Sequence, residues 1–299
     1  MSLDGLVVVD KPGGLTSHDV VARIRHACRQ RRVGHAGTLD PDATGVLLVG
    51  LGKVTRLLRF LQDGGKAYRG EIAFGVATDT LDASGSVLER QPMALTRDDV
   101  EAAAKRFVGE IEQTPPMVSA VKIGGRRLHE LARAGEEIER APRRVQIDRF
   151  EVEAFEPGPY PVASVVVECG SGTFVRSLAA DLGAALGGCA HLGSLRRTRV
   201  GSFTLGEAHP LDAIEADPRS FVLPPVAAVR DLARIDVDAE RARAVAHGAV
   251  FPAPALIGED AGPGPFAVVG PDGSLLAVYE RRRGALKPAV VLTPVEPSS

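Results

Sequence analysis

The run Gly45 to Gly52, G-V-L-L-V-G-L-G, constrains the fold most, because it has no polar side chain along the length of a strand. A strand apolar on both faces has to be buried. The segment before it, R-V-G-H-A-G-T-L-D-P-D-A-T from Arg32 to Thr44, is a loop punctuated by glycine. Gly34, Gly37 and Gly45 allow close backbone approach or dihedrals that other residues avoid. Asp40-Pro41 reads as a turn or a helix start, with Asp as cap and Pro as first residue. The setting of Asp40, between an arginine-rich helix and a buried strand, also suits an acid held near the sugar of a polyanion.

The surrounding elements mix strand and helix without a regular βαβ beat, which predicts an α+β sheet domain. Leu6 to Asp10 reads as a short strand, followed by a Lys11-Pro12-Gly13-Gly14 turn. Thr16 and Asp19 have the spacing of a capping box ahead of Val20, Ile24, Ala27 and Cys28 at helical intervals. Lys53 to Leu61 is predicted as a helix with Val54, Leu57, Leu58 and Leu61 on one stripe. Tyr68 to Val76 alternates as a half-buried strand, and Ser84-Gly85 turns the chain into another over Ser86 to Glu89. Thr96 caps the next helix with Asp99, and Leu95 can staple to Val100. The β-branched run Val162 to Cys169 predicts a central strand, turned by Gly170 to Thr173 into a helix carrying Val175, Leu178, Ala179, Leu182 and Leu186. Beyond Pro224-Pro225 come a short helical stretch, Asp238 to His247, and three strand-like runs. These are Phe266 to Val269, Leu275 to Tyr279 and Ala289 to Leu292, and they predict a small β-rich appendage. From Pro294 onward the chain reads as frayed.

Composition narrows the class. Of 299 residues 44% are hydrophobic, enough for a substantial core, and the charged share of 25% argues against disorder. Three widely spaced cysteines, Cys28, Cys169 and Cys189, form no C-x-x-C pair, so neither a disulfide framework nor a thiolate zinc site is expected. They read as small buried hydrophobes in a reducing compartment. The N-terminal apolar run Leu6 to Val9 is too short for a signal or a spanning helix, which predicts a cytoplasmic protein without membrane contact. Net charge is −2, yet the cations are clustered. Arg23, Arg25, Arg29, Arg31 and Arg32 lie in an acid-free stretch, and Arg196, Arg197 and Arg199 form a second cluster. Lys122, Arg126, Arg127, Arg133, Arg140, Arg143 and Arg144 form a third, partly offset by Glu130, Glu136, Glu137 and Glu139. Each alone reads as a solvated face; together they predict a polyanion track.

The Arg32 to Gly52 stretch resembles the catalytic motif of the TruB family of tRNA pseudouridine synthases, whose loop reads G-H-x-G-x-L-D-P-x-A-T-G. Further resemblances follow in order. Asp10-Lys11-Pro12 is similar to the family's D-K-P motif, Lys66-Ala67-Tyr68 to its K-x-Y strand, and Thr78-Asp79-Thr80 with Asp82 and Gly85 to its T-D-T-x-D-x-x-G turn. Pro115 to Lys122 resembles P-x-x-S-A-x-K, Gly172 to Arg176 matches G-T-[YF]-[IV]-R, and His191 to Arg197 matches H-x-x-x-L-R-R. The resemblance implies a pseudouridine-synthase-type mixed sheet domain with flanking helices over 1–225, a thumb inserted at about 119–146, and a PUA-like RNA-binding domain over 234–294. It implies isomerisation of the uridine at position 55, in the T loop of tRNA, without cofactor or metal. The implied partner is the tRNA T stem-loop, with no protein partner and a monomeric state.

By the same resemblance Asp40 is the catalytic carboxylate, Arg176 its ion-pair partner, and Tyr68 the ring that stacks on the flipped base. Read without it, Arg176 is a surface arginine on a helix turn and Tyr68 half-buried strand filler. Phe174, where many relatives carry Tyr, packs against the uracil, and Leu195 lines the same pocket. His35 supports the extruded loop, and Lys11 contacts phosphate or supports the active-site loop. Arg196, Arg197, Lys122, Arg126 and Arg127 contact the RNA backbone. A stacked uridine is out of reach, so the nucleotide must be extruded at a cost of roughly a few kcal/mol. Phosphate contacts and an aromatic surface offset that cost.

Three other readings compete. Gly52-Lys53 after an apolar strand is similar to a P-loop, but Leu47 stands where the first glycine is required and Val54 replaces Ser/Thr. A metallo-hydrolase finds no H-E-x-x-H or other close ligand spacing among the seven histidines. An RNA-binding, tRNA-folding chaperone of the same fold would share the cleft but leave Asp40, Tyr68 and Arg176 unexplained.

Overall fold

A computed structural model describes residues 2–119, 122–123, 126–127, 138–256 and 262–292. The first strands are β1 (Gly5–Lys11), β2 (Val33–Ala36), β3 (Thr44–Leu51) and β4 (Lys66–Phe74). A small hairpin pairs β5 (Val76–Thr78) with β6 (Val87–Arg90). Then come β7 (Gly109–Gln113), the hairpin of β8 (Lys122–Ile123) and β9 (Arg126–Arg127), and β10 (Arg143–Glu156). β11 (Val162–Cys169), β12 (Ala190–Val200), β13 (Phe203–Thr204) and β14 (His209–Pro210) complete the N-terminal set. Ten of these strands form one mixed sheet among the described residues, in the order β14-β1-β3-β12-β4-β11-β10-β7, with β2 on β3 and β13 on β12.

β3 lies inside this sheet, antiparallel to β1 and parallel to β12, and every residue after Thr44 is buried. Its alternate side chains feed two cores. Leu47, Val49 and Leu51 pack with α1 (Ser17–Ala27), α3 (Arg97–Lys105) and the helix Val175–Ala185. Val46 and Leu48 pack the opposite way, against Val54, Leu57, Val200 and Phe203. This is why the run has no polar side chain: both faces are interior.

The second core also holds residues of another sheet. β15 (Ala233–Asp236), β16 (Phe251–Pro252), β17 (Phe266–Val269), β18 (Leu275–Arg282) and β19 (Ala285–Val291) pair in the order β15-β17-β18-β19-β16. Ala267, Val269, Leu275, Val278 and Val290 meet Leu6, Val8, Val46 and Leu48, so the two sheets share one apolar layer. Arg230 fastens the connection. Its guanidinium bonds both carboxylate oxygens of Glu207 at 2.6 and 2.9 Å and lies 3.7 Å from the ring centroid of Phe203.

Several local expectations differ from the structure. The Lys53–Leu61 segment splits into a 3-10 turn, Gly52–Arg56, and the short α2 (Leu58–Gln62). A 3-10 turn stacks residues three apart, which sends Val54 and Leu57 into one core and leaves Lys53, Arg56 and Arg59 outside. Asp40-Pro41 starts no helix; the chain makes a turn in which Ala43 N–H donates to Asp40 O at 3.2 Å and enters β3 directly. α1 holds only Arg23 and Arg25 of the five clustered arginines. Arg23 is taken by Glu215 (Nε to Oε1 2.7 Å), and Arg29 follows the helix at φ 48. Of the cysteines only Cys169 is buried; Cys28 and Cys189 are half-buried. Arg133 and half of the expected thumb, 120–121, 124–125 and 128–137, lie outside the described residues, as does the stretch from Pro294 onward.

Candidate active site

The loop between β2 and β3 has polar backbone groups that a helix or sheet would satisfy, so side chains must do it instead. Three do. Ser17, on α1, accepts from Leu39 N–H (2.9 Å) and donates to Leu39 O (3.1 Å). Lys11, fully buried at the end of β1, donates its ammonium to the carbonyls of Pro12, Leu15 and Pro41 at 2.8, 2.6 and 2.8 Å. Arg197, on β12, donates to Gly37 O, Thr38 O and Val46 O at 3.1, 3.3 and 2.7 Å. Asp40 is therefore flanked by anchored backbone on both sides. Gly45 makes the last anchor possible: at φ +99, a Cβ there would lie 2.1 Å from Arg197 O.

Arg176 faces Asp40 from the first turn of the Val175–Ala185 helix, and it is only 4% exposed. All four of its Nη N–H bonds have acceptors, and Nε stands in ion-pair contact with Asp40. Nε and Nη2 grip the two oxygens of Asp40 at 3.0 and 3.2 Å. Nη1 reaches Asp82 Oδ2 and Thr80 O at 3.2 and 3.1 Å, and Nη2 also reaches Val118 O at 2.8 Å. One planar fork is thus shared by two carboxylates, a geometry lysine cannot reproduce.

The two acids experience this cation differently. Burial among protein atoms pushes Asp40 above the usual carboxylate range, with Arg176 pulling it down and Asp82 pushing it up. Its side chain nevertheless keeps 41% exposure on the cavity side. Burial also acts to raise Asp82, but hydrogen bonds from Ser84 and Thr80, together with Arg176, leave it below the usual range. Tyr68 is raised by burial, with the neighbouring Arg197 charge opposing. Lys11 is lowered to about 8 by burial, against the pull of Asp42 and Asp40.

A cavity of about 120 Å³ opens at this point, lined by Thr38, Asp40, Tyr68, Thr173, Phe174, Arg176 and Leu195 among others. That is the share of about four liquid waters. A second cavity of about 240 Å³ adjoins it, and Asp40, Arg176 and Leu195 line both. Five residues expected from the sequence, Asp40, Tyr68, Phe174, Arg176 and Leu195, therefore converge. Phe174 is fixed through its backbone, its N–H donating to Oε1 of buried Gln113 (2.7 Å) and its carbonyl accepting from Nε2 (3.0 Å).

Other expectations are corrected. Arg197 is 1% exposed and bonded to three carbonyls, so a phosphate contact from it is ruled out by its burial; it holds the Asp40 loop. Lys11 likewise has no free face, and of the two roles expected the loop support is the one its bonds serve. Arg176 is no surface arginine. His35 lines neither cavity; it packs edge-on to His18 at 5.1 Å, and burial lowers it to about 4. Arg196 remains half exposed, bonded to Asp10 at 2.7 Å and Thr44 at 3.2 Å. Lys122, Arg126 and Arg127 lie on the β8–β9 hairpin, where only their backbone pairing is described. Sequence reasoning missed Ser17, Asp82 and Gln113 as site residues. Asp82 alone carried a signal, its place in the T-D-T-x-D turn.

Comparison with known proteins identifies the family. Residues 25–175 match the family model described as TruB family pseudouridylate synthase, N-terminal domain. Residues 176–220 match a tRNA pseudouridylate synthase B C-terminal domain, and 232–293 the C-terminal model of tRNA pseudouridine synthase II. A tRNA pseudouridine synthase B of Symbiobacterium thermophilum is 52% identical over 82% of this chain and 82% of its own. One from Thermobifida fusca is 46% identical over 96% and 98%. Among solved structures, a Cbf5-Nop10-Gar1 complex aligns with TM-score 0.74 and 28% identity over 97% of this chain and 85% of that one. An H/ACA RNP bound to a substrate RNA containing 2'-deoxyuridine aligns with TM-score 0.74 and 25% identity over the same shares. With half the chain under one family model and relatives this similar along nearly its whole length, the chain belongs to the TruB family of pseudouridylate synthases.

Proposed function

We propose that the protein is a cytoplasmic, monomeric isomerase that converts the T-loop uridine of tRNA, position 55, to pseudouridine, with Asp40 as its essential carboxylate. The observation that carries this reading is the grip of the Arg176 fork on Asp40 in the wall of a ring-lined cavity. The extruded uracil lies against Tyr68, Phe174 and Leu195, with the ribose toward Asp40. The N1–C1′ bond breaks, the retained base turns, and C5 bonds to C1′; the C5 proton leaves to solvent and N1 gains one, so the product is an isomer. The carboxylate can attack C1′, add to the base or take the C2′ proton, and every one of these roles requires it ionised. Arg176 favours that form against the cost of burial. Phe174 has no hydroxyl, so its contribution is stacking alone. Arg196, with Lys122, Arg126 and Arg127, contacts the RNA backbone.

The test is tritium release from tRNA transcript labelled at C5 of uridine. Release is expected from the native chain and none from Asp40→Asn, which still binds tRNA. If the native chain releases no tritium while both proteins assist tRNA refolding equally, the folding-chaperone reading replaces this one.

A further inference from the structure

We infer that Gln113 is a positioning residue of the proposed reaction: its buried carboxamide grips both backbone groups of Phe174 and so fixes where that ring meets the extruded base. This rests on the uridine reading above. Gln113 ends β7, whose sequence is G-E-I-E-Q. Glu110 and Glu112 are exposed, whereas Ile111 packs against the first core and Gln113 is 2% exposed. Alternation therefore gives Gln113 an inward place that an apolar side chain would fill, and a buried amide is costly there unless its polar ends find partners. It finds them 61 residues along the chain. Nε2 donates to Phe174 O at 3.0 Å, and Oε1 accepts from Phe174 N–H at 2.7 Å.

Phe174 needs such a grip. It is the N-cap of the Val175–Ala185 helix, a place that favours Ser, Thr, Asp or Asn because their side-chain oxygen satisfies a free N–H of the first turn. Phenylalanine brings no oxygen. The turn that delivers it, from Gly170 to Thr173, is loosely packed on its outer side. Ser171 and Gly172 are exposed, and at Gly172, φ +84, an added Cβ would meet nothing within 4 Å among the described residues. The hydroxyl of Thr173 bonds back within the turn, to Gly170 O at 3.2 Å. Ser177, one turn into the helix, donates to Thr114 O at 3.1 Å, so two successive residues after the β7 edge hold the helix start.

The three walls assigned to the base differ in how they are held. Tyr68 lies on β4 and Leu195 on β12, where ladder pairing on the sheet fixes both. Phe174 stands off the sheet, between β11 and the helix, and takes its place from the Gln113 amide. The cavity they line is only about 120 Å³, so a small swing of one wall changes the fit of whatever fills it. A misplacement of about 1 Å can cost up to roughly a hundredfold in rate. Arg176 is held separately, by Asp40, Asp82, Thr80 O and Val118 O, so a change at Gln113 acts through the ring and leaves the carboxylate ionised as before.

The experiment is a double-mutant cycle in single-turnover tritium release, with Gln113→Met, Phe174→Ala and the two combined. Methionine keeps the length of glutamine and removes both hydrogen bonds. Gln113→Met is expected to slow the reaction about tenfold or more, with the Kd for tRNA within about twofold of native and the acid limb of the rate where the native chain has it. Phe174→Ala slows the reaction by itself, and adding Gln113→Met to it should cost under about twofold more, because no ring is left to place. Losses that multiply, a Gln113→Met rate within about twofold of native, or a displaced acid limb overturns the inference. Amide hydrogen exchange of the RNA-free protein supplies a second measurement. Exchange at Phe174 N–H should quicken about tenfold in Gln113→Met while β11 keeps its protection; equal exchange in both chains also overturns it. Should the methionine chain melt early, Gln113→Asn, one carbon too short to reach both groups, makes the same comparisons. A native chain that binds tRNA but releases no tritium sinks the uridine reading instead, and Gln113 is then judged on exchange alone.

Discussion

Replacing Arg176 by methionine should move the acid limb of the rate, and the size of the movement follows from geometry. With nitrogen–oxygen contacts of 3.0 and 3.2 Å, the charge centres are about 4 Å apart. At an effective dielectric near 20 that attraction is about 4 kcal/mol. Asp40 is 41% exposed, so solvent screens part of this, and about 2 kcal/mol is the better figure. The sign is fixed. Asp40 already lies above the usual carboxylate range, and removing the cation raises it further, so less of it is ionised at any given pH. In single-turnover tritium release between about pH 5 and pH 9, the rise of rate with pH should shift to higher pH. A pH-independent loss of about a hundredfold should accompany it, because the fork also aims the carboxylate. Arg176→Lys separates the two effects: charge is kept and aim is lost, so the rate falls while the limb stays. A methionine variant whose limb coincides with that of the native chain would refute the reasoning.

Asp82→Asn should move the limb the other way, since a negative charge that raises Asp40 is removed while a similar shape is kept; the same assay reads it. Arg197→Met should cost about 3 kcal/mol or more in urea unfolding, because three carbonyls lose a buried donor. Arg196→Ala, half exposed, should change stability by under about 1 kcal/mol but make the salt slope of tRNA binding shallower by about 0.7–0.9. Gly45→Ala should cost about 3 kcal/mol or more, and a stable variant would show that β3 and β12 do not approach as closely as 2.1 Å between added Cβ and carbonyl oxygen implies.

What the sequence revealed was set by local physics. Both capping boxes, Thr16 with Asp19 and Thr96 with Asp99, form as spaced, because a cap involves only neighbours. Val162–Cys169 is a strand to the residue, its β-branched run matching an interior place in the sheet. β12 escaped notice as a strand because its two bulges against β4 break the alternation that marks one. β15 escaped because an edge strand with mostly exposed side chains carries no apolar pattern. In the site, the residues touching the cavity were legible through motif, whereas those that hold the loop looked ordinary. Nothing local distinguishes Arg197 from Arg196; only pairing of Arg197 opposite Tyr68 on one side and Gly45 on the other turns it inward. Ser17 and Gln113 likewise act on backbone far along the chain, at Leu39 and Phe174.

The apolar layer common to both sheets has a practical consequence for deletion experiments. A chain cut before β15 would leave Leu6, Val8, Val46, Leu48 and Val54 without their covering from Val269, Leu275, Val278 and Val290. Such a fragment should clump or melt early, for reasons unrelated to nucleic acid. Inactivity after truncation would therefore report a broken scaffold. Point changes on its outer surface are the sounder way to ask what the C-terminal sheet contributes.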